Sequence, residues 1–299
     1  MDISIIIPTY NRYSCLRDTC EYLSLQEDCS FEILIIDQTS EDHRQYISGE
    51  NIRYFSLEKP SASAARNLGI LHAKSDILLF IDDDVIIEDR RFLLSHCKHY
   101  KDPSVVGVAG GAPDVGQSIN LGHHRFFRST GIGWVYFSSN YGCQTWVEAG
   151  RANNLSCRKN LAISVGGMDE RFERGAHREE ADFCLRLTRK YGPLLYAPWT
   201  SLVHIGNSSG GIRSWQKEEK IKAKHHMVGD LYMMLKCIPL KNWGEYIALS
   251  LFYFVFPYKL KTPPNYFIKA FFRYLSACQE AYQKIKQGPK LLSDSNVAL

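Results

Sequence analysis

The chain has 299 residues, 45% of them hydrophobic and 23% charged, with a formal net charge of +4. That is the make-up of an ordinary globular protein with one large core or two modest ones, and it excludes a largely disordered chain. Nine cysteines, odd in number and without CxxC spacing, exclude a zinc ribbon and a disulfide scaffold, so reduced thiols in a cytosolic protein are expected.

Met1 leads directly into ISIIIPTYNR, with no basic stretch and apolar core of the secretory-signal kind. The apolar run ISIIIPTY, ended by Pro8, predicts a buried strand, and residues 12–26 carry Leu16, Cys20 and Leu23 at helical spacing. FEILIID (31–37), IRYFSL (52–57) and DILLFID (76–82) predict three more buried strands. Between the last two, SASAARNLGILHAKS reads as a helix with Ala65, Leu68 and Leu71 on one face. Strands alternating with helices imply an α/β fold with a mostly parallel, Rossmann-like sheet and helices on both faces. Ligands in such sheets bind beyond the C-terminal strand ends, where Thr9 to Arg12, Asp37 and the triplet Asp82, Asp83 and Asp84 all fall.

The middle of the chain, roughly 105–210, is richer in Gly, Asn and aromatic residues and less regular in period. Within it HREEADFCLRLTRKYG predicts a helix that stops at Gly192. From about residue 215 three helical segments follow, the last after the breaker TPP. The apolar run 246–256 is far short of the ~20 residues that cross a bilayer.

Three adjacent carboxylates at the end of a buried strand repel one another, so they either cap a solvated turn or hold a cation. Hard divalent cations take carboxylate oxygens and commonly also bind substrate phosphates, which favours a metal site. Phosphotransfer through an aspartyl nucleophile is disfavoured, because the triplet follows the fourth strand and not the first. Glu179, Glu180 and Asp182 form a second acidic cluster in the first turn of a predicted helix. There the macrodipole alone favours carboxylates, and a general base is the functional alternative.

Seven segments, ISIIIPTYNR, ILIIDQTSED, SASAARNLGI, LLFIDDDV, VGGMDERF, REEADFCLRL and LVHIGNSSGG, occur in an order and spacing that resembles the GT-A fold glycosyltransferases of family 2. The resemblance covers residue 3 to about 211. It implies a nucleotide-sugar-binding half over 1–105 and an acceptor-binding and catalytic half over 106–214, with the helical segments after about residue 215 read as a C-terminal extension over 215–299. Pro8, Thr9, Tyr10, Arg12 and Asp37 would hold the donor nucleotide. Arg66 would meet the ribose or diphosphate, Asp82 the ribose, with Asp83 close by. Asp84, together with Asp82 and His204, would hold Mn²⁺ or Mg²⁺ at the diphosphate. Gln38 stands where the family usually has a second aspartate. Glu180 stands where it usually has the aspartate that deprotonates the acceptor, so Glu180 is the expected base, with Glu179 and Asp182 as alternatives.

The implied activity is inverting, metal-dependent transfer from a nucleoside-diphosphate sugar, UDP-linked by expectation, to a glycan or lipid-linked acceptor. Surface-polysaccharide biosynthesis is the implied setting. Two rivals are a nucleotidyltransferase and a non-catalytic nucleotide-sugar-binding protein. The first lacks its Gly-rich basic signature after the first strand, and the retained second acidic cluster argues against the other. Residues 211–299 hold 14 Lys and Arg against 6 Asp and Glu, and 243–274 hold twelve aromatics beside Lys259, Lys261, Lys269 and Arg273. Two readings stand: helices packed on the catalytic body, or an interfacial segment resting on an anionic leaflet. Nucleic acid is not expected as a partner, and the implied location is cytoplasmic with peripheral attachment to the inner membrane face.

Overall fold

The structure, a computed structural model, describes residues 1–40, 47, 49–118, 140–174, 177–206, 210–211, 223–256 and 264–292. Lys259 and Lys261 lie outside them.

Strands β1 (Ile3–Thr9), β2 (Phe31–Asp37), β3 (Ile52–Ser56) and β4 (Ile77–Ile81) form the parallel side of one sheet. Helices α1 (Tyr13–Ser24) and α2 (Ala62–His72) lie on opposite faces of it. The alternation of β1 shows why: Ile3, Ile5 and Ile7 pack with Leu16 and Leu23 of α1 and with Phe92 and Leu93 of α3 (Phe92–His99). Ile6 joins Leu34, Ile36, Phe80, Ala65 and Ile70 on the α2 side. Both faces of β1, β2 and β4 are buried, so these strands read as largely apolar runs, whereas the edge strand β3 is only partly buried.

The sheet continues through β6 (Gly107–Gly111), β7 (Thr145–Val147), β8 (Asn154–Arg158) and β9 (Leu194–Ser201), in the order β3-β2-β1-β4-β8-β6-β9-β7. Strand β8 runs antiparallel to both β4 and β6, and β7 antiparallel to β9, while β6 and β9 are parallel. The sheet is thus parallel on its first side and mixed on its second. The two sequence halves share it. Gly110 must be glycine because a Cβ there would strike the Asn154 amide and the Thr200 carbonyl.

Two features position the site. The apolar run that resumes after the aspartates is a two-residue strand, β5 (Val85–Ile86), paired antiparallel with β10 (Val203–His204) so that His204 lies opposite Val85. Helix α5 (Glu179–Tyr191) follows α4 (Lys159–Ser164) and is entered through Arg178 in the left-handed conformation, φ +78°.

Helices α6 (Lys224–Cys237), α7 (Trp243–Phe254) and α8 (Pro264–Gln287) pack on this body through Met227, Leu231, Tyr246, Tyr266, Ala270 and Tyr274. Asp169, from the GGMDER segment, fastens them: it accepts hydrogen bonds from Lys236 Nζ (2.6 Å), the Tyr232 hydroxyl (2.8 Å) and the Lys290 N–H (2.9 Å). Packing therefore accounts for the inner faces of these helices. The outer face of α8 leaves Ile268, Phe271, Phe272 and Leu275 exposed.

Candidate active site

A cleft of roughly 430 Å³ opens at the C-terminal ends of β1 and β4, and Pro8, Thr9, Tyr10, Arg12, Arg66, Asp82, Asp83, Asp84, Glu179, Glu180 and His204 all line it. Residues from both acidic clusters thus come together, although about 95 positions separate them in the chain.

The three aspartates have three different environments. Asp83 is buried; its carboxylate accepts from Thr9 Oγ1 (2.7 Å) and Arg12 Nη1 (3.2 Å). Burial pushes it up to about 7 against the pull of Arg12 and Thr9. Asp84 is also buried and takes the same Arg12 nitrogen at 3.1 Å on Oδ2. Arg12 is held in turn by the Gly210 carbonyl at 3.2 Å, and Gly210, at φ +73°, has no room for a Cβ beside the Arg12 side chain. Asp82 alone is partly open to the cleft, at 34% side-chain exposure, and meets Arg66 Nη2 at 3.4 Å.

Asp82, Asp84 and His204 each bring one potential ligand atom to a common point, all within 4.8 Å of one another. His204 is well prepared for this. Its Nδ1 donates to Asp114 Oδ1 at 2.8 Å, which turns Nε2 toward Asp84 Oδ1 (3.5 Å) and Asp82 Oδ2 (3.9 Å). A carboxylate behind an imidazole fixes the tautomer and leaves the other nitrogen for a cation. Burial opposes protonation of His204, but Asp84, Asp82 and Asp114 outweigh it and raise the imidazole to about 9. Two carboxylates and one imidazole suit Mn²⁺ or a related divalent ion, so the donor set fits a metal.

On the opposite wall, Glu179 opens α5 and pairs with Arg66 Nη1 at 2.6 Å, both nearly buried. Burial raises the Glu179 carboxyl above its ordinary value, Glu180 adds to that, and Arg66 opposes it. Arg66 thereby spans the two acidic clusters, and its Nε has no partner among the described residues. Glu180 lines the cleft beside it.

Two expected site residues are placed elsewhere. Asp182 faces away from the cleft and is sealed beneath Lys236 Nζ (2.8 Å) and Arg186 (2.9 Å), where it joins α5 to α6. Asp37 ends β2 outside the cleft lining; its carboxylate takes the Thr39 N–H (2.9 Å) and the hydroxyls of Tyr13 (2.8 Å) and Tyr54. Gln38 lines the cleft in its stead, donating to the Thr9 carbonyl (3.2 Å) and accepting the Ser61 N–H (2.6 Å).

The cleft also holds residues that no sequence signal singled out: Arg151, Asn153, Arg174, His177 and Arg178. The RANN segment was visible as a polar stretch, but only the register of β8 shows that it borders the aspartates.

The sequence model of glycosyl transferase family 2 matches residues 4–154, half of the chain. The chain belongs to glycosyl transferase family 2. Within the family, an uncharacterized glycosyltransferase of Rickettsia felis is 33% identical over 116 residues, a stretch that covers 33% of this chain and 19% of that protein. This chain thus spans only about a fifth of that relative. The O-antigen chain rhamnosyltransferase RfbN of Salmonella typhimurium is 25% identical over 115 residues, covering 37% of each protein. Among solved structures, the mannosyltransferase PcManGT from Pyrobaculum calidifontis, in complex with GDP-Man and Mn²⁺, superposes with a TM-score of 0.54 at 14% identity, over 99% of this chain and 77% of that one. The family-2 membership and this likeness bear out the GT-A fold expected from the seven segments.

Proposed function

We propose that this family-2 chain is an inverting, metal-dependent glycosyltransferase that moves a sugar from a nucleoside-diphosphate sugar to a hydroxyl of a glycan or lipid-linked acceptor. The observation that carries the proposal is the pairing, in one cleft, of a three-ligand cation set (Asp82, Asp84, His204) with carboxylates on the facing wall (Glu179, Glu180). A cation set alone would serve many phosphate-binding proteins. The facing carboxylate is what glycosyl transfer adds.

A divalent ion held by Asp82, Asp84 and His204 would supply positive charge to the leaving diphosphate. The chain's own groups do the rest. Pro8, Thr9, Tyr10 and Arg12 form the nucleotide side of the cleft, with Asp37 behind it, and Arg66 presents a fixed guanidinium to the ribose or diphosphate. Glu180 takes the proton from the acceptor hydroxyl as its oxygen bonds to the anomeric carbon and the bond to the diphosphate breaks on the opposite face. Attack on the face away from the departing diphosphate inverts the anomeric centre. Glu179, ion-paired to Arg66, positions that guanidinium and is less suited to proton transfer. In this arrangement residues 1–105 form the donor half, 106–214 the acceptor half and 215–299 the helical extension.

The donor base is read as uracil from the family resemblance. GDP-Man belongs to PcManGT and is the first alternative to test. The O-antigen relative supports a surface glycan as acceptor. No helix among the described residues is long and apolar enough to cross a membrane, so the exposed aromatic face of α7 and α8 is read as a peripheral contact.

A thermal-shift panel of UDP- and GDP-sugars with and without Mn²⁺ tests the core of the proposal, because a ligand that binds only the native state raises the melting temperature. Asp84→Ala should abolish the Mn²⁺-dependent shift and turnover together. Full activity of that variant in EDTA would sink the metal assignment.

A further inference from the structure

Asn153 lines the cleft, is only 4% exposed, and has no hydrogen-bond partner among the described residues for either Nδ2 or Oδ1. Its neighbour Asn154 shows what a structural asparagine looks like here. Asn154 Nδ2 donates to the carbonyls of Gly111 (2.8 Å) and Thr200 (2.9 Å), and its Oδ1 meets His96 Nε2 at 2.9 Å. Burying an amide without partners is costly, and such groups in native proteins usually await a ligand or a water. An apolar residue of similar size would fold at least as well at 153.

The position of Asn153 says what it awaits. In the antiparallel pairing of β4 with β8, Ile81 lies opposite Asn154. The next residues outward along the two strands are Asp82, the cleft-exposed aspartate, and Asn153. Arg66, which spans Asp82 and Glu179 in the same cleft, has no partner for its Nε among the described residues. On the reaction proposed above, the group passing between the diphosphate side and the carboxylate side is the sugar itself. A carboxamide offers two donor hydrogens and an acceptor oxygen side by side, which matches adjacent ring hydroxyls that each donate and accept. Stacking on a base or contact with a phosphate would not call for that combination.

We propose that Asn153 binds hydroxyls of the transferred sugar and selects among donor sugars by their hydroxyl pattern. The inference rests on the glycosyltransferase reading and adds a residue to it. A site built to hydrogen-bond a hydroxyl discriminates against an analogue that lacks or misplaces it, because the buried polar group is left unpaired.

The test compares wild type, Asn153→Ala and Asn154→Ala in dissociation constants for UDP, GDP, UDP-glucose, UDP-galactose, UDP-N-acetylglucosamine and GDP-mannose, all with Mn²⁺. Apo melting temperatures are measured alongside. Asn153→Ala should bind the free nucleotides as wild type does and lose roughly three- to tenfold affinity for the preferred nucleotide sugar. It should also discriminate less between UDP-glucose and UDP-galactose, with an apo melting temperature unchanged or raised. Asn154→Ala should melt earlier. The proposal is overturned if Asn153→Ala retains the sugar preference, weakens UDP and UDP-sugars equally, or destabilises the apo protein as Asn154→Ala does. If wild type binds no nucleotide sugar, the glycosyltransferase reading fails and takes this inference with it.

Discussion

Glu180 and Asp182 stand two residues apart in the first turn of α5, and helical geometry sends them in different directions. Glu180 lines the cleft, whereas Asp182 lies under Lys236 and Arg186. Glu180→Gln keeps the shape and removes the basicity, so donor binding should persist while transfer falls by on the order of 10²–10⁴. Steady-state transfer with a bound-donor control checks this, and normal transfer by Glu180→Gln with loss in Glu179→Gln would move the role to Glu179. His96 offers a test of a different kind. It is fully buried, and burial, opposed by its contact with Asn154, lowers its imidazole to about 3. The native state therefore keeps His96 neutral while the unfolded chain takes up a proton below pH 6.5. Stability is intact above that pH and is lost as pH falls from 6.5 toward 3, by about 2 kcal/mol between 6.5 and 5. His96→Gln should remove that component, seen as a shallower pH dependence of urea unfolding than in wild type. Identical slopes would mean that His96 is protonated in the fold.

At the scale of elements, the proposed catalytic carboxylates depend on how α5 is anchored. Asp230, fully buried in α6, binds Arg178 Nε (3.0 Å), the Tyr246 hydroxyl (3.1 Å) and Ser250 Oγ (3.1 Å). One carboxylate thus joins α6 and α7 to the residue that turns the chain into α5. Asp230→Ala leaves Arg178 buried without its counter-charge, which costs about 3–5 kcal/mol. It should also lower transfer more than nucleotide affinity, because the first turn of α5 shifts while the 8–12 turn does not. Denaturant unfolding and donor titration separate these effects; a loss below about 1 kcal/mol would show that α5 is held by its apolar face alone. The elements legible in the sequence were β1, β2 and β4 as apolar runs with near-uniform burial, the half-buried β3 through its Ile, Tyr and Phe, and α5 between its acidic first turn and Gly192. Strand β6 was not legible, since close approach of Asn154 and Thr200 requires the small residues of GVAGG there. β8, in the polar stretch NLSCR, and the eight-residue α3 were hidden for similar local reasons. In the site, Asp82, Asp84 and His204 were legible as a motif. Asp114, which orients His204, was not, because it arrives through an isolated bridge between residues 90 positions apart. The tyrosines on Asp37 were equally out of reach of local pattern.

At the scale of the whole molecule, charge and apolar surface divide along the chain. Residues 211–299 carry 14 basic against 6 acidic side chains, while the first 210 carry 22 against 26. Within the basic part, α8 is apolar on two sides. Tyr266, Ala270, Tyr274 and Ala277 are buried against the body, whereas Ile268, Phe271, Phe272 and Leu275 are exposed, Phe272 at 65%. Ring contacts extend that face to α7 through Phe252 with Phe256 and Phe256 with Phe267. An apolar surface of this kind is rarely left in water without a partner, and neighbouring Lys269 and Arg273 favour an anionic leaflet over a neutral one. The proposed catalytic cleft would then work beside the membrane, within reach of a lipid-linked acceptor of the kind proposed above. Two contributions should separate experimentally. Cationic attraction is screened over a Debye length of ~8 Å at physiological ionic strength, so high salt should release part of the bound protein from anionic liposomes. Inserted aromatics should hold the remainder. Lys269→Gln with Arg273→Gln should reduce the preference for anionic over neutral lipid, and Phe252→Ser with Phe272→Ser should remove the salt-resistant fraction. Neither pair touches the cleft, so nucleotide binding serves as the folding control for both. If wild type sediments with neither kind of liposome while remaining monomeric, the aromatic face has no membrane role. If it ignores liposomes and sediments as a dimer that Phe272→Ser disrupts, the face belongs to a second copy of the chain.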